Sequence, residues 1–262
     1  MKLITSRANS TFKQFKLLAE ESREQRRSGT SLLEGVHLVA SYRDKRGLPE
    51  RLIVSEHGAM RPDVQALIDT LPGVETLLLS DNLFGELSEL ATPVGVAAII
   101  RIPQPAAAKR NGSCILLDAL QDPGNVGSIL RSAAAAEIAD IYLGPGCAGV
   151  WTPRVLRAAQ GAHFDLQLHE QADLGAVMSA FAGTSVAATA QAAEPLFQMD
   201  LRGRLAWLFG SEGSGIAPAL EAAANKRVNI PLAPGSESLN VAAAAAICLF
   251  EQVRQNYLSS AP

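Results

Sequence analysis

Three stretches of the sequence contain residues of types that could bind a ligand or catalyse a reaction. The first runs from Asp122 to Arg131, reads DPGNVGSILR, and directly follows an apolar segment. Asp122 and Asn125 are residue types that begin helices. Gly124 and Gly127 allow another backbone or a ligand to approach closely. Arg131 lies about one and two-thirds turns beyond Asn125, so the two side chains are offset along the predicted helix. The stretch indicates either a ligand-binding loop or a tight strand-to-helix turn with a surface arginine.

A second stretch, FGSEGSG at 209–215, places its glycines around the single carboxylate of Glu212. A plain turn does not require so many glycines. At the carboxyl ends of parallel strands such loops form ligand crevices, and here side chains would not cover the backbone N–H and C=O groups. This stretch therefore favours a binding site over a simple turn.

A third stretch, IPLAPGSESLN at 230–240, ends an apolar segment and opens the last predicted helix, which runs from Asn240 to about Tyr257. Ser238 or Asn240 could cap that helix through a side-chain oxygen. One residue is enough for the cap, so the other polar group is available for a substrate.

The elements that must position these stretches alternate between apolar strands and helices. Strands are predicted at 114–118, 141–143, 164–168, 185–188, 205–209 and 228–230, with helices at about 125–136 and 153–160. Near-continuous apolar strands are typical of a parallel sheet with helices on both faces. Gly183 interrupts the uncharged run 174–193, so we expect a helix, a turn and a buried strand there, and no membrane span.

The N-terminal part has its own α/β layout. A charged helix is predicted from Thr11 to Arg27, and strands and helices then alternate as far as Ile102. The Pro/Ala-rich segment 103–112 lacks a periodic apolar face, which is typical of a linker. The sequence thus predicts an α/β protein with one domain at 1–102 and a second at 113–262.

Basic residues are concentrated at the N-terminal end. Residues 1–62 hold 12 Lys and Arg against 7 Asp and Glu, whereas residues 63–262 hold 11 against 19, in a chain of net charge −3. Positive charge at one end of an acidic protein suggests a phosphate-bearing partner such as RNA. A solvated helix face is the alternative explanation, since Lys and Arg on helices are usually at the surface.

The composition of the 262-residue chain disfavours several classes of protein. It is 48% hydrophobic and 19% charged, which is typical of a globular fold. Cys114, Cys147 and Cys248 are widely spaced, and the histidines form no ligand cluster. We therefore expect no disulfide scaffold, no metal and a reducing cytoplasmic location. The first residues lack the apolar segment of a signal peptide, and no membrane association is expected.

The three stretches, in their order along the chain, resemble the SpoU (TrmH) branch of the SPOUT RNA methyltransferases. Each of them lies at the end of a predicted strand. The match comprises Asn125 to Arg131, FGSEGSG, and the IP…ESLN segment with its Ala-rich helix, and covers about 112–257. The N-terminal half resembles the family's substrate-binding domain through ITSRAN at 4–9 and LEG at 33–35. The resemblance implies a small ribosomal protein L30e-like α/β domain, followed by a parallel-sheet SPOUT domain. That domain would end in a deep trefoil knot within roughly 205–253.

The resemblance also implies a reaction, a cofactor and an assembly. Members of this family transfer a methyl group from S-adenosylmethionine to a ribose 2′-hydroxyl in rRNA or tRNA. The cofactor-binding positions implied here are the main-chain groups of Gly210, Ile230 and Leu239. A homodimer through the knot domain is implied as well.

The same resemblance gives Arg131 the central catalytic role. Because a guanidinium stays protonated, we expect Arg131 to hold the target's phosphate and polarise the hydroxyl, and not to act as a base. The residues expected to orient Arg131 and the ribose are Asn125, Glu212, Ser238 and Asn240. The residues expected to contact RNA from the N-terminal domain are Arg7, Lys13, Lys16, Arg26 and Arg27.

The sequence departs from the family pattern at three positions. Glu137 stands where the family often has Gly, at the end of the first motif helix. A left-handed residue there costs about 1 kcal/mol, unless the helix ends differently. Ala159 and Ala242 stand where the family often has Ser, so each position lacks a hydroxyl.

Two alternative functions belong to other classes. A non-catalytic RNA-binding or ribosome-assembly factor could keep the same fold, but it would not need to retain all the polar residues of the three stretches. A nucleotide-dependent oxidoreductase is disfavoured, because GxGxxG is absent and no acidic residue follows the predicted strand at 141–143.

Overall fold

The chain forms two compact units in the computed structural model, which describes residues 2–106, 112–236 and 238–260. The N-terminal unit comprises Met1–Pro103 with Gly149–Phe164, and the C-terminal unit comprises Gln104–Ala148 with Asp165–Pro262. Residues 107–111 of the predicted linker lie outside the described residues, as does Glu237. The segment Gly149–Phe164 was expected in the C-terminal domain, yet it packs with the N-terminal unit.

The elements of both units follow in chain order. The strands are β1 (Lys2–Ile4), β2 (Thr30–Glu34), β3 (Arg51–Ser55), β4 (Glu75–Leu79), β5 (Val96–Arg101), β6 (Cys114–Asp118), β7 (Asp140–Leu143), β8 (Gln167–Glu170), β9 (Thr184–Ala188), β10 (Leu205–Gly210) and β11 (Lys226–Val228). The helices are α1 (Ser10–Glu20), α2 (Ser22–Ser28), α3 (Val36–Arg46), α4 (Pro62–Asp69), α5 (Asp81–Leu87), α6 (Pro123–Ala135), α7 (Pro153–Ala159), α8 (Leu174–Ala180), α9 (Pro218–Ala223) and α10 (Val241–Ser260).

The N-terminal unit is built on a mixed sheet. Its strand order is β1-β4-β3-β5-β2. The β1, β4 and β3 strands run parallel, whereas β5 runs antiparallel to both β3 and β2. Phe12, Phe15 and Leu18 of α1 are buried in the core that includes Leu32, Ile53 and other strand residues. The alternating α/β layout expected for this part of the chain is confirmed.

The single helix predicted from Thr11 to Arg27 is wrong, because the chain bends at Glu21. Glu21 is extended, with φ −119° and ψ 107°, and separates α1 from α2. The apolar stripe that holds α1 against the sheet ends at Leu18 and Ala19, so nothing apolar would anchor a longer helix. After the bend, the buried Gln25 side chain donates a hydrogen bond to the Leu18 carbonyl at 2.7 Å. This bond satisfies a carbonyl that the end of α1 leaves open.

The strand predicted at 164–168 begins later than expected, because its apolar residues are divided between the two units. Ala162–Asp165 forms a 3-10 turn, and β8 begins only at Gln167. Phe164 is buried in the N-terminal unit, where its ring lies edge-on to Tyr42 at 5.4 Å. The strand predicted at 228–230 is also shifted, since β11 ends at Val228.

The C-terminal unit contains the predicted parallel sheet. Its strand order is β11-β9-β10-β6-β7-β8, and every pair is parallel. Leu174 and Met178 of α8 are buried on one face with strand residues such as Leu116 and Leu208. On the other face α10 contacts β10, and Gln252 of α10 accepts a 2.8 Å hydrogen bond from the buried Trp207 indole. The sheet therefore has helices on both faces, as predicted.

The uncharged run 174–193 contains α8 and then β9, which confirms the predicted helix, turn and buried strand. Among the described residues, no helix is both long and apolar enough to cross a membrane. All three cysteines are free thiols.

Candidate active site

A cavity of about 530 Å³ lies at the carboxyl ends of β9, β10 and β11. Gly210, Ile230 and Leu239, the three predicted cofactor-binding residues, all line it. Other lining residues are Thr189, Gln191, Phe209, Ser211, Glu212, Ile216, Glu221, Val228, Ser238, Asn240 and Val241. The second and third sequence stretches therefore come together at one edge of the parallel sheet.

The loop after β10 can form only with glycine at position 210. A Cβ atom there would lie 2.2 Å from the Gly215 carbonyl carbon, which is far inside van der Waals contact. The loop is closed by Ser211 N–H bonding to Gly215 O at 3.0 Å and Gly215 N–H bonding to Ser211 O at 2.9 Å. Gly215 itself has φ +68°, a conformation that glycine adopts at little cost. The glycines thus fold the loop tightly, with Glu212 exposed within it.

Asn125, Glu212 and Asn240 form a hydrogen-bonded triangle. Asn240 Nδ2 donates to Glu212 Oε1 at 2.7 Å and to Asn125 Oδ1 at 2.8 Å. Asn125 Nδ2 donates to the same Glu212 Oε1 at 3.0 Å. Three residues from the three predicted stretches are therefore in direct contact, which fixes both amide orientations.

Helix caps hold two corners of this triangle. Asp122 Oδ1 accepts a 2.7 Å bond from the Asn125 backbone N–H and caps α6. Asn240 Oδ1 accepts bonds from the N–H groups of Ala242 and Ala243 at the start of α10. Asn240 is thus the cap that the sequence allowed for, and it is also a member of the triangle.

A second cavity of about 390 Å³ adjoins the first. It is lined by Leu120, Gln121, Asp122, Asn125, Ser211, Glu212, Gly213, Ser214 and Val241. The segment Ser211–Ser214 and Val241 belong to the walls of both cavities. Glu212 therefore stands at the boundary between the two spaces, with Asn125 on the side of the second.

Sequence reasoning missed Asp118, a further carboxylate that holds this site. Asp118 Oδ2 accepts a 2.7 Å bond from the Ala217 backbone N–H, which ties the end of the glycine loop to the end of β6. Asp118 and Gly210 are register partners in neighbouring strands. Its place as the polar last residue of an apolar strand was the signal that could have identified it.

Arg131 and Ser238 do not join the triangle. Ser238 lines the larger cavity and forms no hydrogen bond with another described residue. Arg131 is exposed on α6, lines neither cavity, and forms no ion pair or hydrogen bond with a described residue. Across six residues of helix, its side chain points about 120° away from that of Asn125 and lies about 9 Å further along the axis.

The predicted RNA-contacting residues lie on or near α1 and α2, and several already have acidic partners. Arg7 pairs with Glu86 at 2.6 Å, and the pKa of the Glu86 carboxyl is lowered, mainly by this hydrogen bond. Lys16 also lies 3.6 Å from Glu86, and Arg27 pairs with Glu24 at 2.6 Å. Arg26 lies on α2, and Lys13 is exposed on α1.

The three departures from the family pattern have distinct settings. Glu137 is left-handed, with φ +58°, directly after α6. Ala159 is buried at the end of α7 in the N-terminal unit. Ala242 is in the first turn of α10, where its N–H is bonded by Asn240. Among the described residues, no group of His, Cys, Asp and Glu side chains is arranged to hold a metal ion.

Family models match both parts of the chain. Residues 112–250 match the SpoU rRNA Methylase family, and residues 9–98 match the MRM3-like substrate binding domain. The fold and site are those of a two-part α/β protein whose C-terminal part is of the SpoU type. The chain belongs to the SpoU rRNA methylase family.

Individual relatives agree with this assignment over almost the whole chain. One is the Bacillus subtilis 23S rRNA (guanosine(2553)-2'-O)-methyltransferase RlmP, with 32% identity covering 95% of this chain and 98% of that protein. Another is the 23S rRNA (uridine(2479)-2'-O)-methyltransferase of Streptomyces viridochromogenes, with 29% identity covering 96% and 92%. The crystal structure of the SpoU methyltransferase AviRb from Streptomyces viridochromogenes with AdoMet superposes with a TM-score of 0.86. It shares 27% identity and covers 97% of this chain and all of that one.

Proposed function

We propose that this protein is an S-adenosylmethionine-dependent RNA methyltransferase that modifies a ribose 2′-hydroxyl in rRNA. The observation that carries the proposal is the pair of adjoining cavities with Glu212 on their common wall. The larger cavity would hold the methyl donor and the smaller one the ribose. The names of the two 23S rRNA relatives support the reaction and the substrate class, while their different target bases leave the base open.

The residues of the larger cavity fit the cofactor. Its volume of about 530 Å³ lies in the range of small-molecule sites. Apolar side chains such as Ile230 and Leu239 suit an adenosine ring, and the backbone at Gly210 is free of any Cβ that would obstruct polar contacts. When bound, S-adenosylmethionine supplies an activated methyl group on a positively charged sulfur.

The triangle would align the attacking oxygen. Glu212 accepts both amide bonds through Oε1, and no described residue donates to Oε2. We assign Oε2 and the Asn125 side chain to the ribose hydroxyls in the smaller cavity. Because the methyl group is already activated, alignment is the main requirement, and position alone supplies several kcal/mol.

Arg131 would act on the phosphate beside the target ribose. Its exposed guanidinium lies outside both cavities, and we assign it to the backbone phosphate next to a ribose bound in the smaller cavity. A guanidinium binds phosphate through two parallel hydrogen bonds. In this role Arg131 fixes the target and polarises its hydroxyl, while the phosphate or water takes the proton.

The assembly is proposed to be a homodimer through the C-terminal unit, with the trefoil knot within 205–253. An exposed stripe on α10 supports it: Phe250 is 46% and Tyr257 76% exposed, seven residues apart on one helical face. Ala243 is exposed and Ile247 partly exposed on the same face. Phe250→Asp is expected to produce monomers in sedimentation experiments, and an unchanged dimer would contradict this use of the stripe.

The N-terminal unit would bind the RNA. Lys13 is exposed without an acidic partner among the described residues, whereas phosphates must compete with Glu86 and Glu24 for Arg7 and Arg27. Deleting residues 1–100 is expected to weaken RNA binding and its salt dependence much more than cofactor binding, because phosphate contacts release counterions. A cytoplasmic location is part of the same proposal.

Methyl transfer can be tested directly. The purified protein is incubated with methyl-labelled cofactor and with rRNA or tRNA from a strain that lacks this protein, and labelled ribose is mapped. We expect label on a ribose 2′-oxygen of rRNA. Label on a base, or cofactor binding without any label on rRNA or tRNA, would contradict the proposal, and the latter would favour the non-catalytic RNA-binding factor.

A further inference from the structure

The smaller cavity has a polar side chain on its wall that the protein itself does not use. The polar side chains that line this cavity are those of Gln121, Asp122, Asn125, Ser211, Glu212 and Ser214. Asp122 caps α6, and Asn125 and Glu212 belong to the triangle. The hydroxyls of Ser211 and Ser214 are bonded to each other at 2.8 Å. The Gln121 side chain forms no hydrogen bond with another described residue, so its whole amide is available to a ligand.

The loop that carries Gln121 is anchored on both sides of it. Leu120 is 2% exposed, and its carbonyl accepts a 2.8 Å bond from the Ala148 N–H. On the other side, Asp122 Oδ1 accepts the 2.7 Å bond from the Asn125 N–H that starts α6. Gln121 is exposed between these two anchors, so a fixed backbone presents its side chain at the cavity wall.

The turn that leads into this loop is strained. Ala119 follows β6 directly and has φ +51°, a left-handed conformation that costs alanine more than glycine. Residues in such conformations persist where the surrounding structure holds them, and they cluster at functional sites. The strained turn and the two anchors together determine where Gln121 stands at the carboxyl end of β6.

The covalent structure of a nucleotide brings a base to the same cavity. The base is bonded to the ribose carbon next to the one that carries the 2′-hydroxyl. A ribose whose hydroxyl meets Glu212 and Asn125 therefore has its base within or directly beside the smaller cavity. The volume of about 390 Å³ lies in the range of whole small-molecule sites, so there is room for more than a sugar ring. A glutamine amide offers a donor and an acceptor side by side, which suits the donors and acceptors along a base edge.

We propose that Gln121 is a specificity-determining residue that hydrogen-bonds the base of the nucleotide whose ribose is methylated. This inference rests on the proposed function. The base does not change during transfer, so the contact stabilises the bound substrate and the transition state alike. Loss of the contact is therefore expected to raise KM and to leave kcat almost unchanged. Loss of the alignment made by Glu212 would instead lower kcat.

Methyl transfer by the full chain to two RNAs tests the proposal. One is a short RNA that carries the ribose mapped by labelled transfer, and the other is the same RNA with the base of that nucleotide removed. On the intact RNA, Gln121→Ala is expected to lower kcat/KM about threefold to tenfold, the loss of one neutral hydrogen bond. On the RNA without the base, variant and wild type are expected to agree within about twofold. Binding of both RNAs is measured in parallel, so the comparison also holds where the RNA without the base is methylated slowly.

Two controls separate this contact from a structural effect. Gln198→Ala removes an exposed glutamine of the same unit that lines neither cavity, and it is expected to change nothing. The affinity of Gln121→Ala for S-adenosylmethionine is expected to equal that of the wild type, because Gln121 does not line the larger cavity.

Two results would overturn the inference. In the first, Gln121→Ala leaves transfer to the intact RNA unchanged. In the second, it weakens both RNAs by the same factor, which would place Gln121 on the sugar or the phosphates and not on the base. Failure of the wild type to methylate any rRNA or tRNA would instead contradict the proposed function on which the inference rests, so the two failures are distinguishable.

Discussion

Asn240 donates a hydrogen bond from Nδ2 to Glu212 Oε1 across 2.7 Å, and its Oδ1 caps the first turn of α10. The same Nδ2 also bonds Asn125 Oδ1 at 2.8 Å. One side chain therefore links the start of the last helix to both other loops of the site. Asn240 therefore has two tasks, the alignment of Glu212 and the capping of α10.

Asn240→Asp separates these two tasks. Asp is as good a cap as Asn, so the start of α10 is expected to be retained. The new carboxylate replaces the amide donor and faces Glu212 with like charge, so methyl transfer is expected to fall about 100-fold or more, the loss of a few kcal/mol of alignment. Turnover and urea unfolding measured together check this.

Asn240→Ala also loses the cap, and is expected to cost about a further 1 kcal/mol of stability. Wild-type turnover in Asn240→Asp would contradict the role of the triangle.

Gly210→Ala tests the tight loop after β10. The added Cβ would lie 2.2 Å from the Gly215 carbonyl carbon, so the loop must move and the cavity wall with it. We expect loss of cofactor binding in calorimetry. Gly213→Ala is the matched control, since a Cβ there meets no atom within 4 Å. Equal cofactor affinity in the two variants would show that the close approach is not required.

Glu137→Gly is expected to stabilise the C-terminal unit. Glu137 has φ +58° after α6, where Ile138 N–H bonds Ala133 O at 3.0 Å and Glu137 N–H bonds Ala134 O at 3.2 Å. This is a Schellman ending, whose left-handed position favours glycine. Removing the strain and an unfavourable charge at a helix C-terminus is expected to raise the free energy of unfolding by about 1 kcal/mol. Urea unfolding measures it, and a less stable variant would contradict the strain.

His163 gives the N-terminal unit a specific pH dependence. Burial lowers the pKa of His163 from 6.5 to about 4, while its Nε2 bonds the Val150 carbonyl at 2.7 Å. The unfolded chain protonates this ring at a higher pH than the folded chain does. The contribution of His163 to the free energy of unfolding is therefore greatest above about pH 6.5. It decreases by about 3 kcal/mol as the pH falls towards 4.

A His163→Gln variant isolates this contribution, because glutamine does not titrate. Urea unfolding between pH 4 and pH 7.5 is expected to give a shallower loss of stability at low pH in the variant than in the wild type. Parallel curves for the two proteins would show that the buried imidazole is not the cause.

The sequence predicted the parallel sheet because its strands are apolar runs bounded by glycine and polar turns, as at Cys114–Asp118 and Leu205–Gly210. It could not predict the bend at Glu21, since the bend depends on where the apolar face of α1 ends and on the Gln25 bond to Leu18. Phe164 misled the strand prediction because its ring packs against Tyr42 in the other unit. The local sequence pattern does not show in which unit's core an apolar residue is buried.

The candidate site was predictable in part, for the same physical reason. Asn125, Glu212 and Asn240 lie at helix starts and at a glycine loop, where local chemistry identifies them. Asp118 acts through a bond to the Ala217 backbone, which is distant in sequence and reaches it only in the folded chain. The left-handed Glu137 was predicted as one of two outcomes, and the structure confirms it.

In the proposed mechanism Arg131 acts on the RNA, and the cofactor cavity works without it. The most direct measurement compares Arg131→Ala with Arg202→Ala, an exposed arginine of the same unit that pairs with Asp200 at 2.7 Å. Labelled methyl transfer to rRNA and calorimetric binding of S-adenosylmethionine are measured for both. We predict that Arg131→Ala abolishes transfer and keeps wild-type cofactor affinity, while Arg202→Ala keeps both. Wild-type turnover in Arg131→Ala would contradict the account.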